Sequence, residues 1–370
     1  MKKDSKIYVA GHTGLVGSAI VRNLRGKGYN NLVFTPYPEY DLIEKQVVEN
    51  FFKQEKPEYV FLAAAKVGGI VANNTYRGQF IYENLQIQNN VIHSSYLNEV
   101  KKLLFLGSSC IYPKNCDQPI REEYLLTDIL EYTNESYAIA KIAGIKTIES
   151  YNLQYGTNFI SVMPTNLYGI NDNFDLEKSH VLPALIRKMH LGKSLFNNDF
   201  ESIKKDLDKN PIEKITGDNS KNEIIKVLEK YGILKDSILL WGSGKPRREF
   251  LHSDDLADAC VYLMKNIDFI DILKNQFSVS EIEYPYTKKE IRNTHINIGT
   301  GRDISILELS ELIKEEIVEY KGQIKWDSEK PDGTFQKILN VSKLHSYGWH
   351  ENIKFKDGLK NVYENYCKYI

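Results

Sequence analysis

Tyr137 and Lys141 stand four apart in Tyr-Ala-Ile-Ala-Lys, about thirty residues after a serine that ends an apolar run, Leu103-Leu104-Phe105-Leu106-Gly107-Ser108. On a helix this spacing puts both side chains on one face, with the ammonium near the phenol. A phenol with an ordinary pKa near ~10 is a poor acid or base at neutral pH, and a nearby cation brings its phenolate towards the working range. Ser108 would then hold the reacting oxygen. These residues suit reduction of a carbonyl, in which a bound donor delivers hydride and an acid protonates the new alkoxide. Cys110, two beyond Ser108 and so on the same side of an extended chain, adds a thiol whose thiolate can abstract a proton next to a ketone.

The elements that must position these groups alternate between strand and helix. Lys102–Leu106 reads as a buried parallel strand that delivers Ser108 to the carboxyl edge of a sheet, where such folds bind ligands. At the start of the chain, Ile7–Ala10 runs into Gly11-His12-Thr13-Gly14-Leu15-Val16-Gly17, a strand, tight turn and helix. Glycines there permit the turn and the close approach of backbone to a pyrophosphate, which the helix N-terminus stabilises. The second strand, Asn31–Phe34, runs into Thr35-Pro36-Tyr37-Pro38-Glu39, which offers neither the acidic residue of an NAD site nor the basic one of an NADP site. A helix around Glu44–Phe52 and a strand at Tyr59–Leu62 follow, and Ala63, Ala64 and Ala65 are small enough to let a cofactor cross the strand end. Phe80–Leu97 is a long helix. Phe159–Met163 is a further strand, and Pro164-Thr165-Asn166 at its end suits polar contacts to nicotinamide or phosphate. The fold class expected is α/β: a Rossmann doubly wound parallel sheet with a smaller mixed α/β C-terminal substrate lobe. Residues 1–168 form the nucleotide-binding part, with segments returning near 251–265 and 294–301, and 169–370 form mainly the lobe.

Composition narrows the class without naming it. The 370 residues are 42% hydrophobic and 26% charged, as in an ordinary soluble enzyme. A net charge of -1 gives no field to attract nucleic acid or an anionic membrane. No apolar run approaches the ~18 residues of a membrane span, and the first residues carry no apolar signal region, which points to the cytoplasm. Cys110, Cys116, Cys260 and Cys367 have neither disulfide nor zinc spacing, so reduced thiols and no metal are expected. Asp254-Asp255 reads as an acidic pair at a helix N-terminus rather than a metal site.

At these residues the chain resembles the extended short-chain dehydrogenase/reductase family, and within it the GDP-L-fucose synthase family of GDP-4-keto-6-deoxymannose 3,5-epimerase-4-reductases. The similarity runs through 63–70, 106–113, 137–146, 164–169, 241–255 and 330–334, and two blocks, 191–237 and 266–293, look unlike that family. The resemblance implies NADPH, with NADH as the alternative, because the arginines usual in the glycine turn and after the second strand are missing and Thr13 occupies the turn position. It implies cofactor contacts from Gly11, Thr13, Gly14, Leu15, Val16, Gly17, Asp41, Leu42, Ala63, Ala64, Ala65, Leu106, Tyr137, Lys141, Pro164, Asn166, Leu167 and His180. For a GDP-4-keto sugar it implies contacts from Ser109, Cys110, Asn166, Val181, Arg187 on the diphosphate, Trp241, Arg248 and Lys337. Gln336 stands where the family often has arginine.

The resemblance also implies catalysis by Ser108, Tyr137, Lys141, Cys110 and His180: the Cys110 thiolate removes a proton, His180 returns one on the opposite face at carbons 3 and 5, and carbon 4 is then reduced. It implies a homodimer through a four-helix bundle built from the 80–97 helix and the helix holding Tyr137. Relatives in bacterial heptose pathways reduce a GDP-4-keto-heptose while a separate protein epimerises it, and they can retain Cys and His, so these residues do not choose between the two. A noncatalytic NADP(H)-sensing protein is a third reading, opposed by the presence of all three reductase residues. The 191–237 block, bracketed by Arg187 and Trp241, is expected to border the substrate pocket or a subunit contact.

Overall fold

The computed structural model describes every residue except Pro285, Thr287, Lys288, Lys289 and Pro331. The resemblance at Pro331 and those four positions of the 266–293 block lie outside the described residues. Two compact units form: residues 1–167, 251–301 and 338–352 make the first, and 168–250, 302–337 and 353–370 the second.

The first unit is built on a six-stranded parallel sheet. Its strands are β1 (Ile7–Ala10), β2 (Leu32–Val33), β3 (Tyr59–Leu62), β4 (Lys102–Leu106), β5 (Phe159–Pro164) and β6 (Ile296–Ile298), in the order β2-β1-β3-β4-β5-β6. The order reverses between β1 and β3, the switch point where such sheets bind nucleotides. β1 and β4 are buried along their whole lengths, which explains their continuous apolar sequences: helices cover both faces of a parallel sheet. Period-two alternation divides each strand between two cores. Ile7 and Val9 pack with Ile20 and Leu24 of α1 (Leu15–Gly26) and with Leu256 and Cys260, while Tyr8 and Ala10 pack with Phe52, Val91 and Ile145 on the other face. The last three belong to α2 (Lys45–Glu55), α3 (Arg77–Leu97) and α4 (Glu135–Tyr155), and α5 (Ser253–Asn266) supplies Leu256 and Cys260.

Phe269, Leu273 and Ile291 form a small core with Leu153 of α4. No helix among the described residues is long and apolar enough to cross a membrane, and no group of His, Cys, Asp or Glu among them could hold a metal ion.

In the second unit a helix, Val181–Phe196, leads into the 191–237 block, which is ordered. It contains helices Phe200–Lys209 and Lys221–Lys230, the latter opened by a capping box between Ser220 and Glu223. Ile203, Leu207, Ile224 and Leu228 pack with Leu191 and Leu195 into a core of their own. Beyond it, Ser237–Trp241 pairs in parallel with Gln323–Asp327. Residues 247–249 pair with Asp303–Ser305, and Arg247 and Arg248 with Gln336 and Lys337.

One close approach matters for the chemistry. A Cβ on Gly144 would lie 2.4 Å from Cζ of Phe105 and 2.9 Å from Oε1 of Gln88, so only glycine lets α4 press against both β4 and α3. Gln88 reinforces that contact by donating to the Ala140 carbonyl at 2.7 Å. Gly144→Ala is expected to cost about 1–3 kcal/mol, as overpacking does, and urea unfolding should show a lower midpoint with an unchanged slope.

Candidate active site

β4 ends at Gly107, where a Cβ would collide with the Met163 thioether at 2.4 Å. The chain then turns at once: Ser108 is extended, at φ -162°, and its Oγ accepts from the Cys110 amide at 3.4 Å, capping the single turn Ser109–Ile111. Ser109 and Cys110 are buried and Ser108 is half-buried. From α4, Lys141 reaches back and donates to the Leu106 carbonyl at 2.8 Å. Its ammonium lies 4.8 Å from the centroid of the Phe105 ring and 5.7 Å from that of Tyr137. Phe80 of α3 meets the Tyr137 ring edge-on at 6.4 Å. The structure thus brings Ser108, Cys110, Tyr137 and Lys141 to the end of one strand.

The electrostatics correct one expectation. Burial pulls the Lys141 ammonium down to about 8, with Cys110 acting the other way. The Tyr137 phenol is not lowered by its neighbour but raised well above its ordinary value, first by burial and then by Cys110. The lysine directs its charge at the Leu106 carbonyl, and desolvation of the phenolate dominates. At neutral pH Tyr137 is therefore a protonated donor, the state that a reduction requires.

The residues around the glycine turn fit a dinucleotide. A Cβ on Gly11, at φ +80°, would lie 2.7 Å from the Ala64 amide, and one on Gly17 2.0 Å from the Gly11 carbonyl, so the turn closes only with glycine. Gly14 caps α1 without a side-chain bond, and the first helical turn has no acidic residue, which leaves its amides suited to an anion. Thr13 is exposed beside it, Leu15 and Val16 are half-buried, and Ala63, Ala64 and Ala65 line the end of β3. His12 stacks on Phe34 at 4.6 Å, and its buried Nδ1 has no hydrogen-bond partner among the described residues. The Asp41 carboxylate accepts from the Ile43 amide at 3.0 Å, and Asn90 donates to the Leu42 carbonyl at 3.0 Å. Pro164 ends β5, followed by half-buried Asn166 and Leu167.

In the second unit, His180 precedes the helix Val181–Phe196 and makes no side-chain cap. It is accessible to solvent, yet the protein crowded around it lowers its imidazole from the ordinary value. Arg248 fixes Nη1 on the carbonyls of Arg247 and Thr334, at 2.7 and 2.6 Å. Lys337 lies beside it in the parallel register, so both side chains share a face of the sheet. Gln336, on the other face, donates to Asp303 at 2.5 Å. Trp241 is 67% exposed, with the Lys330 ammonium 5.8 Å from its ring centroid. The turn after Trp241 is tied down by Asp332, which accepts from the Ser243 amide and hydroxyl at 2.8 and 2.6 Å.

Arg187 does not stand where the resemblance implies. Its side chain is fully buried, with Nε and Nη2 on Asp206 at 3.0 and 2.7 Å and Nη1 on the Phe174 carbonyl at 3.2 Å, and Nη2 also reaches the Asn210 carbonyl. Its guanidinium is taken up inside the unit, because the 191–237 block supplies a carboxylate that claims it.

A family model described as the NAD dependent epimerase/dehydratase family matches residues 7–205 and 215–277. The chain belongs to that family. It is 50% identical to a putative GDP-L-fucose synthase of Arabidopsis thaliana, over 100% of this chain and 94% of the relative. Among solved structures, a GDP-6-OMe-4-keto-L-xylo-heptose reductase from C. jejuni superposes with a TM-score of 0.90 at 49% identity, over 100% of this chain and 99% of that one. A GDP-mannoheptose C4 reductase from Campylobacter jejuni with NADP bound superposes at 0.83 with 48% identity, over 99% of each chain.

Two groups escaped the sequence reading of this family member. The Lys188 ammonium has no hydrogen bond or ion pair among the described residues, and burial lowers it to about 8. It shares its helix face with Val181 and half-buried Ala184, whereas Arg187 shares its own with buried Pro183 and Leu191. That spacing was legible, but the family resemblance pointed to Arg187, one residue away. Asp172 is the other: burial raises its carboxyl to about 7, and one oxygen has no partner among the described residues.

Arg187→Gln should cost about 3–5 kcal/mol in urea unfolding, because it strands a buried carboxylate. Lys188→Gln should leave the midpoint within about 0.5 kcal/mol and raise KM for the sugar nucleotide. The Lys141 cation is present below about 8 and is lost as pH rises through that value, so kcat/KM should fall on the alkaline side there.

Proposed function

We propose that this chain reduces the 4-keto group of a GDP-linked 4-keto sugar with NADPH. The observation that carries the reading is the half-buried Tyr137 phenol beside Lys141 and Ser108 at the end of β4, its pKa raised by the protein around it. When bound, NADPH supplies the hydride. Ser108 holds the carbonyl oxygen, Tyr137 donates the proton, and Lys141 stabilises the negative charge that develops. The amides at the start of α1, with Gly11, Gly14 and Gly17, hold the dinucleotide's pyrophosphate. Arg248, Lys337 and Lys188 supply cations for the sugar diphosphate, and Trp241 an exposed aromatic surface.

The principal substrate reading is a GDP-4-keto-6-deoxy sugar, with 3,5-epimerisation by Cys110 and His180 before reduction. Because crowding favours neutral His180, it donates only after taking a proton from solvent, so exchange at carbons 3 and 5 should slow as pH rises. A second reading, reduction of a GDP-4-keto-heptose without epimerisation, is favoured by the match to the two Campylobacter reductases over 99–100% of both chains, through the 191–237 block. The assembly proposed is a homodimer through a four-helix bundle of α3 and α4, supported by Tyr82 at 57% and Ile139 at 41% exposure on those helices. Four cysteines without a disulfide suit the reducing cytoplasm.

The test incubates the protein with NADPH and GDP-4-keto-6-deoxymannose in deuterated water and reads the product by NMR. Deuterium at carbons 3 and 5 with a reduced carbon 4 supports the bifunctional reading. Reduction without exchange leaves a 4-reductase and favours the heptose, and failure to reduce both this sugar and, in a parallel incubation, a GDP-4-keto-heptose overturns the proposal. Tyr137→Phe should lower kcat by about 10²–10⁴.

A further inference from the structure

We propose that the 191–237 block braces the loop 173–179 and through it positions His180. This rests on the reading of His180 as a proton-transfer group.

The loop is stiffened from within. Asn173 Oδ1 accepts from the Asp175 amide at 2.9 Å, Asp175 Oδ1 accepts from the amides of Glu177 and Lys178 at 2.8 and 3.0 Å, and the Ser179 amide donates to the Asp175 carbonyl at 2.9 Å. These bonds shape the loop without anchoring it. The anchors come from the 191–237 block at three points. Asp206 holds the Arg187 guanidinium, which donates to the Phe174 carbonyl at 3.2 Å. Tyr366 donates to the same Asp206 and packs its ring on Phe174 at 4.4 Å between centroids, so Phe174, Arg187, Asp206 and Tyr366 form a closed circuit of contacts. Leu176 then packs against the block's own apolar core. At the far end Tyr231 donates to Glu177 at 2.5 Å and to Glu213 at 3.0 Å, and Lys230 pairs with Glu213 at 2.6 Å.

His180 begins where this braced segment ends. With no side-chain cap to orient it, its ring takes its place from the backbone that the block holds. Proton transfer depends steeply on such placement, whereas Ser108, Tyr137 and Lys141 belong to the first unit and are positioned by β4 and α4. Loosening the brace should therefore slow exchange at carbons 3 and 5 more than NADPH-dependent reduction. Tyr231 and Glu177 are positioning residues in this scheme, and as half-buried and exposed groups they can be changed without opening the core.

The experiment compares the full chain with Tyr231→Phe, Glu177→Gln and the double variant. Deuterium incorporated at carbons 3 and 5 per NADPH oxidised should fall about tenfold in each, the loss of one hydrogen bond to a charged group, with the double variant no worse than either single. Amide hydrogen exchange across 173–180 should rise in the same variants while the urea midpoint stays put. Wild-type protein without exchange at carbons 3 and 5 would sink the epimerase role of His180, and the brace would then stand or fall on the amide exchange alone. Unchanged amide protection at 173–180 in all three variants overturns the brace.

Discussion

A buried ammonium must find a partner or give up its proton, and Lys141 meets that demand with the carbonyl of Leu106 at the last residue of β4. The arrangement of Ser108, Tyr137 and Lys141 in the first unit depends on this contact. It fixes α4 against the strand end, and with it the Tyr137 phenol beside the serine turn. The approach is possible because Gly144, one turn further along α4, has no side chain to hold Phe105 away. Burial that tight has an electrostatic consequence: the phenol's pKa is pushed up and the lysine's is pulled down to about 8. One packing decision therefore sets the geometry and shifts both pKa values.

In the second unit a different buried charge organises the structure. Arg187 and Asp206 are both fully buried, and each has further partners that satisfy the rest of its hydrogen-bonding capacity. Such a pair is poor evidence for stability, since its desolvation consumes much of the attraction, but it specifies where its two elements must meet. Here it joins the 191–237 block to the helix after His180. Lys188, the next residue of that helix, stays out of the ion pair.

Much of the fold could be read in advance. Continuous apolar strands bounded by glycine, alternating with helices, identify a parallel sheet covered on both faces, and β1, β3, β4 and β5 lie where that pattern puts them. The second strand was read as four residues but keeps only two in the ladder, Leu32 and Val33, and both are merely half-buried because β2 is an edge strand. Within the divergent block, the helix Lys221–Lys230 rests on a capping box and amphipathic spacing, which are local signals. Ser108, Cys110, Tyr137 and Lys141 converge because strand-end and helix-face positions follow from spacing alone.

The sequence by itself determined this protein's family, its sheet and the residue types of its reductase chemistry, because periodicity, glycine spacing and the four-residue helical repeat are properties of short segments. Tertiary structure alone decided the direction in which the Tyr137 pKa moved and the fate of Arg187. A pKa depends on how much water the surrounding chain removes, and Asp206, nineteen residues from Arg187, claims that guanidinium only once the intervening block has folded. Both are consequences of burial, which is fixed by the packing of the whole unit rather than by any one segment.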